Sequence, residues 1–202
     1  MRTTTDRDRL LRLARRTPVV TASDVAAAGI HTQELSRLVE AGALERVARG
    51  QYRLRGGATS EHHGIAVVAG AIPHGVICLL SALSFHRLGT QLPFNVWIAV
   101  DRRARRPSLR YPPLRVVRFS GPALTEGVEL HEIEGRMVRI YGVAKTIADA
   151  FKYRNKIGLD VALEALREAW RERRVSIDEL DRFGRICRVE RVMRPYIEAL
   201  VG

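Results

Sequence analysis

Cysteine, methionine and aromatic residues are scarce in this chain of 202 residues: two Cys, three Met, and 6% Phe, Trp and Tyr together. Cys78 and Cys187 share no CxxC spacing and have no histidine ladder beside them, which argues against a disulfide framework and a zinc module and for a reduced cytoplasmic chain. Negative charge is also in short supply. Against 22 Asp and Glu stand 34 Lys and Arg, a formal charge of +12 and a pI near 10.8. Long apolar runs are missing too: the stretches near Gly64–Pro73 and Gly75–Leu83 are too short and interrupted to span a bilayer, and MRTTTDRDRL is too polar for a signal peptide. No Walker loop, dinucleotide glycine motif, GxSxG elbow or paired-carboxylate nuclease constellation occurs. The reading is therefore non-enzymatic, with no catalytic residue, no cofactor, no metal and no membrane partner.

What the sequence has in excess is arginine, whose planar fork suits phosphate and guanine. A GC-rich coding bias accounts for some of it, and a polyanionic partner, nucleic acid before membrane, for the rest. Residues 1–57 carry 11 Arg against 6 acids. The spacing there predicts a helix over Thr5–Arg16, stopped by Thr17-Pro18. Thr21 is an N-cap for a second helix, with Asp24 in its first turn and Gly29 as a left-handed terminator. A third helix follows, capped by Thr32, with Leu35, Leu38 and Val39 as a buried stripe and Gln33, Ser36 and Arg37 facing outward. Ala41-Gly42 ends it. Leu44–Val47 and Gln51–Leu54 read as two strands around the short turn Ala48-Arg49-Gly50.

That order is the pattern of a winged helix-turn-helix, a DNA-reading module. The buried stripe fixes a helix whose polar N-terminal side chains reach base edges, while Arg46, Arg49 and Arg53 lie along phosphates or enter a minor groove. A winged-helix fold used only for protein contact is the competing view.

Arg55–Ser60 reads as a linker, dividing the chain into a head, residues 1–57, and a body, residues 58–202. Residues 58–101 hold one Arg and two acids. Helices are expected over Glu61–Gly70 and Ser81–Leu88, the latter capped by Ser81 and closed by Gly89. Strands are expected at Val76–Leu80, Asn95–Val100, Leu114–Phe119, Val128–Ile133 and Arg136–Ile140, forming a mostly antiparallel sheet. Helices Ala144–Tyr153, Leu159–Arg173, one capped by Ser176, and Arg188–Val201 finish the chain. The fold class is α+β: a winged helix-turn-helix, a mixed α/β body, and a helical C-terminus. Lys145, Asp149 and Lys152 have the spacing of surface or intramolecular helix pairs. His62, His63, His74, His86 and His131 are read as structural.

Arg102–Arg118 contains seven arginines and no acid. Arg102, Arg103, Arg105, Arg106 and Arg110 form either a second phosphate-contacting surface or a solvated basic loop, or they dock an acidic or RNA-bearing partner.

Taken together, TPVVTASDVAAAGIHTQELSRLVEAGALERVARGQYRL, GVICLLSALSFHRLGTQLP and VAKTIADAFKYRNKIGLDVALEAL resemble the AbiEi-family antitoxins of AbiE-type (type IV) toxin–antitoxin, or abortive-infection, systems. The likeness runs over about residues 7 to 175, and the helices after Arg174 do not match. It implies an antitoxin that represses its own operon by binding inverted repeats in its promoter. It also implies that the C-terminal part neutralises a nucleotidyltransferase-like toxin, not necessarily through a stable complex. Carried onto this sequence, the reading positions are Thr32, Gln33, Ser36 and Arg37, and the wing is Arg46, Arg49, Gln51 and Arg53. The toxin's own Gly-Ser plus Asp-x-Asp motif is absent. A nuclease with a winged-helix targeting head, and an orphan transcriptional regulator, are the alternatives.

Overall fold

A computed structural model describes residues 5–17, 19–55, 61–109 and 111–201. The linker expected at Arg55–Ser60 lies largely outside them. The chain divides into two compact units. The first comprises the described residues of Met1–Pro73, with Ser108–Pro112 and His131–Val138; the second is His74–Pro107, Pro113–Leu130 and Arg139–Gly202.

The first unit opens with α1 (Asp6–Arg16), started by a capping box in which Thr5 and Asp8 satisfy each other's backbone N–H groups. β1 (Val20–Thr21), α2 (Ala22–Ala27), α3 (Gln33–Glu40), β2 (Leu44–Ala48) and β3 (Gln51–Leu54) follow. The strands form an antiparallel sheet in the order β1-β3-β2. Its shortest member, β1, was not expected: two residues carry no period, and only pairing with Gln51 and Tyr52 makes them a strand. Leu10, Ala14, Val20, Val25, Ile30, Leu35, Leu38 and Leu44 close over one another as the core. α4 (His63–Ala71) also groups here, so the unit runs past residue 57. The cause is visible in the packing: Val67 joins Val19 and Ala48 in an apolar cluster, and its carbonyl accepts a hydrogen bond from the Gln51 amide.

The second unit holds β4 (Val76–Ile77), α5 (Leu79–Phe85), β5 (Val96–Asp101), β6 (Leu114–Phe119) and α6 (Pro122–Thr125). With β7 (Val128–Ile133) and β8 (Arg136–Tyr141) the strands form a five-stranded sheet in the order β6-β5-β4-β8-β7. The mostly antiparallel expectation is corrected here. β5 and β6 run parallel over six paired positions, β4 and β8 are parallel, and β4 and β5 are antiparallel. Parallel neighbours need a crossover of about a dozen residues, and the arginine-rich stretch between β5 and β6 supplies that length. β4 is shorter than expected because the chain turns helical at Leu79. Ser81 is no cap: it lies inside α5, and its hydroxyl accepts from the Trp97 N–H of β5.

α7 (Val143–Lys152), α8 (Arg154–Ile157), α9 (Leu159–Arg171), α10 (Ile177–Cys187) and α11 (Glu190–Val201) complete the unit. Ser176 and Glu179 form a capping box on α10, and Pro195 sits within α11. Ile147, Phe151, Leu166, Leu180 and Met193 are among the side chains these helices bury together. No helix among the described residues is long and apolar enough to cross a membrane.

Candidate nucleic-acid interface

The segment α2–turn–α3 is fixed at each joint by a local device. At its start the Thr21 hydroxyl accepts from the Asp24 N–H, and the Asp24 carboxylate accepts from the Thr21 N–H and hydroxyl. Burial pushes the Asp24 carboxyl up, but the Thr21 hydroxyl and N–H, and then the Arg136 guanidinium, outweigh it and hold it below the usual range. Arg136 lies 2.9 Å from that carboxylate and also donates to the Val19 carbonyl. A contact between residues so far apart in sequence leaves no local signal.

The end of α2 is closed by Gly29 at φ +65°, where an L side chain would be strained. Arg9 of α1 donates to the carbonyls of Ala28 and Gly29, satisfying acceptors the helix leaves open. Ile30 is buried and anchors the turn. At the start of α3 the expected cap is corrected. Thr32 has helical backbone angles and makes no capping hydrogen bond; the His31 Nδ1 takes the Gln33 N–H instead. Only a residue with extended backbone aims its side chain back at the first turn.

Leu35 and Leu38 are buried, and Gln33, Ser36 and Arg37 are exposed, as their spacing predicts. Thr32 is exposed beside them. Arg37 pairs with Glu34 on its own helix and keeps 63% of its side chain in solvent.

Beyond α3, Gly42 at φ +70° leads into β2, and Gly50 at φ +72° closes the β2–β3 turn. The register slips between Arg46 and Ala48, so Val47 is an extra residue on the β2 side. Such a bulge bends the strand and re-aims its side chains. Arg46 and Arg49 are exposed. Arg53 is half-buried and paired with Glu45 across the strands. Gln51 departs from the expected set. It is 1% exposed, with its amide on the Val67 carbonyl, and therefore faces inward. Gly70 of α4 permits this, since a Cβ there would stand 3.3 Å from the Gln51 side chain.

In the second unit Arg102, Arg103, Arg105 and Arg106 are all exposed. Their loop is ordered from within. Arg118 donates to the carbonyls of Asp101, Arg102 and Ala104, and the Asp101 carboxylate accepts from the Arg103 N–H. Arg110 lies outside the described residues.

Sequence reasoning missed a buried polar cluster. Lys145 and Asp149 sit on the inner face of α7, both sealed from solvent. The Cys187 thiol donates to Asp149, and the Lys145 ammonium stands 4.0 Å from the centre of the Tyr141 ring and 4.7 Å from that of Phe119. Burial raises the Asp149 carboxyl despite the lysine beside it. Among the described residues no group of three His, Cys, Asp or Glu is placed to hold a metal ion.

Residues 8–55 match the family described as transcriptional regulator, AbiEi antitoxin. No match was found among curated proteins. Among solved structures, the RV2827C protein from Mycobacterium tuberculosis is similar at a TM-score of 0.59 and 17% identity, over 91% of this chain and 72% of that one. At that identity the likeness speaks for the fold alone.

Proposed function

We propose, for a chain whose residues 8–55 match the family described as transcriptional regulator, AbiEi antitoxin, that the first unit binds operator DNA as a winged helix-turn-helix. α3 is the reading helix, with Thr32, Gln33, Ser36 and Arg37 toward base edges. Arg46 and Arg49 of the wing lie on the backbone, with Arg53 beside them and Gln51 withdrawn into the packing. The operator is a set of inverted repeats in the protein's own promoter, so binding represses its own synthesis. The second unit carries the antitoxic activity against a nucleotidyltransferase-like toxin.

The observation that carries this reading is the exposed polar face of α3 in the same unit as an arginine-bearing β2–β3 turn. A helix whose apolar side is fully used in its own core has only its polar side to offer a partner. Guanidinium groups supply the sequence-independent attraction to phosphate, and short polar side chains supply the discrimination.

Titration of the promoter duplex and a scrambled duplex with the full chain tests it. Arg37→Ala weakens promoter binding by about 1–3 kcal/mol and relaxes specificity. Arg49→Ala weakens binding to both duplexes and lowers the salt slope by about 1. Equal affinity of the unaltered protein for both duplexes overturns the reading. Co-expression with the neighbouring gene product separates the two roles: Arg37→Ala restores growth as well as the unaltered protein does, while losing repression.

A further inference from the structure

A cleft of about 610 Å³ lies against the β2–β3 turn, lined by Arg46, Val47, Ala48, Arg49 and Tyr111. Four of these residues belong to the wing: Arg46, Val47 and Ala48 end β2, and Arg49 stands in the turn. The fifth comes from the chain between β5 and β6, and it reaches the turn because Leu109 is packed with Val47 against Val19, Ala48 and Val67. Leu109 thus tethers the segment, and Tyr111, two residues on, is left 58% exposed at the mouth of the cleft. Among the described residues neither Arg46 nor Arg49 is paired with a carboxylate, and the Tyr111 hydroxyl has no hydrogen-bond partner. Arg46 is steadied by its own Nε, which donates to the Ala48 carbonyl, leaving its terminal nitrogens for another acceptor.

The chemistry of this lining is specific. Two guanidinium groups attract an anion, a phenol hydroxyl donates one directional hydrogen bond, and Val47, Ala48 and the tyrosine ring give an apolar floor. The size is that of a pocket for a small ligand group. A sugar-phosphate unit presents the matching features: anionic oxygens at one end and a weakly polar ring beside them. Tyrosine is among the side chains that donate to phosphate and sugar and so set the register of a protein on a duplex.

We propose that Tyr111 is a DNA-backbone contact, and that with Arg46 and Arg49 it forms a seat for one sugar-phosphate unit of duplex operator DNA. This rests on the first unit being the DNA-binding head. It gives part of the segment between β5 and β6 a role in that head, distinct from the solvent-facing arginines at 102–106.

Fluorescence anisotropy with the full chain, on the promoter duplex and on a scrambled duplex of equal length across a salt series, tests it. Tyr111→Phe removes the hydroxyl alone, and affinity for both duplexes falls by about tenfold, the scale of one hydrogen bond to a charged group. The salt slope stays unchanged because no cation is lost, whereas Arg49→Ala lowers it by about 1. Tyr111→Ala weakens both duplexes at least as far. Unfolding temperature, compared across the variants, is unchanged because the side chain is exposed. Tyr111→Phe or Tyr111→Ala at unaltered affinity, with Arg49→Ala still impaired, overturns the seat and leaves the winged-helix reading standing. A loss on the promoter duplex alone overturns the backbone contact in favour of base readout. No preference of the unaltered protein for the promoter duplex overturns both readings. Displacement of the duplex by a free mononucleotide, blocked in Tyr111→Phe, shows that the cleft takes a small ligand and overturns the duplex assignment.

Discussion

Lys145 and Asp149 form an ion pair one helical turn apart, 2.5 Å between Nζ and Oδ2, with both side chains removed from water. Either charge left alone there is costly, because the interior offers no solvent to replace the lost partner. The aromatic faces of Tyr141 and Phe119 support the ammonium, and the Cys187 thiol supports the carboxylate.

Breaking the pair from one side is therefore expected to be severe. Asp149→Asn lowers the unfolding free energy by about 3–5 kcal/mol. Lys145→Met with Asp149→Leu, which removes both charges, costs less than the single change. Urea denaturation of the three proteins checks this. A single-site loss no larger than that of removing Arg194, which pairs at 3.7 Å with Glu190 on the surface of α11, would show that the buried charges are solvated.

The two thiols should be inert in the native protein. Both are buried. Burial, and next the negative charge of Asp149, lift the Cys78 thiol well above its ordinary value and the Cys187 thiol to about 12. The thiolate is the reacting species. Ellman's reagent at about pH 8 therefore gives no signal until denaturant is added, and then both thiols. Rapid labelling of either cysteine without unfolding contradicts the packing of α5, α7 and α10.

Acid sensitivity of the first unit should pass through Asp24. Its carboxyl is held low in the folded state, so it binds its proton less readily there than in the unfolded chain. The contribution to stability is complete above the unfolded value, about pH 4, and is lost as pH falls through the folded value. Asp24→Asn, which also loosens the Thr21 cap and the Arg136 pair, narrows the stability difference between about pH 6 and about pH 3. An unchanged acid limb in thermal melts would place the sensitivity elsewhere.

These residues also mark where the sequence is informative. Thr21 with Asp24, Gly29, Gly42 and the Leu35–Leu38 stripe act within one or two turns of chain, so the helices and hairpin of the first unit are legible. The family match at residues 8–55 falls on that same stretch. β1 is not legible, since Val20 and Thr21 become a strand only by pairing with residues some thirty positions away. Gln51 reads as an outward polar residue, and only α4 turns it inward. Lys145 and Asp149 have the spacing of a solvated helix pair, and nothing on α7 itself says that α10 and two aromatic rings will cover them. Tyr111 stands among arginines that dominate the segment, and its partners lie on the wing. In each case the missing information is a contact between distant segments, which periodicity does not encode.

The five-stranded sheet has its narrowest point at β4. Ile77 is paired with Ile98 on one side and Ile140 on the other, and Val76 adds one more rung toward β5. Among the described residues, the strand pairing that links β5 to β8 thus runs through the two residues of β4. Edge fraying normally consumes a strand from its ends, and a strand this short is nearly all end. Its persistence rests on the complete burial of Val76 and Ile77: the apolar layer acts as the glue and the peptide groups as the stitching. Amide protons on the two sides can then exchange with solvent at separate rates, making the sheet two cooperative blocks joined at a seam.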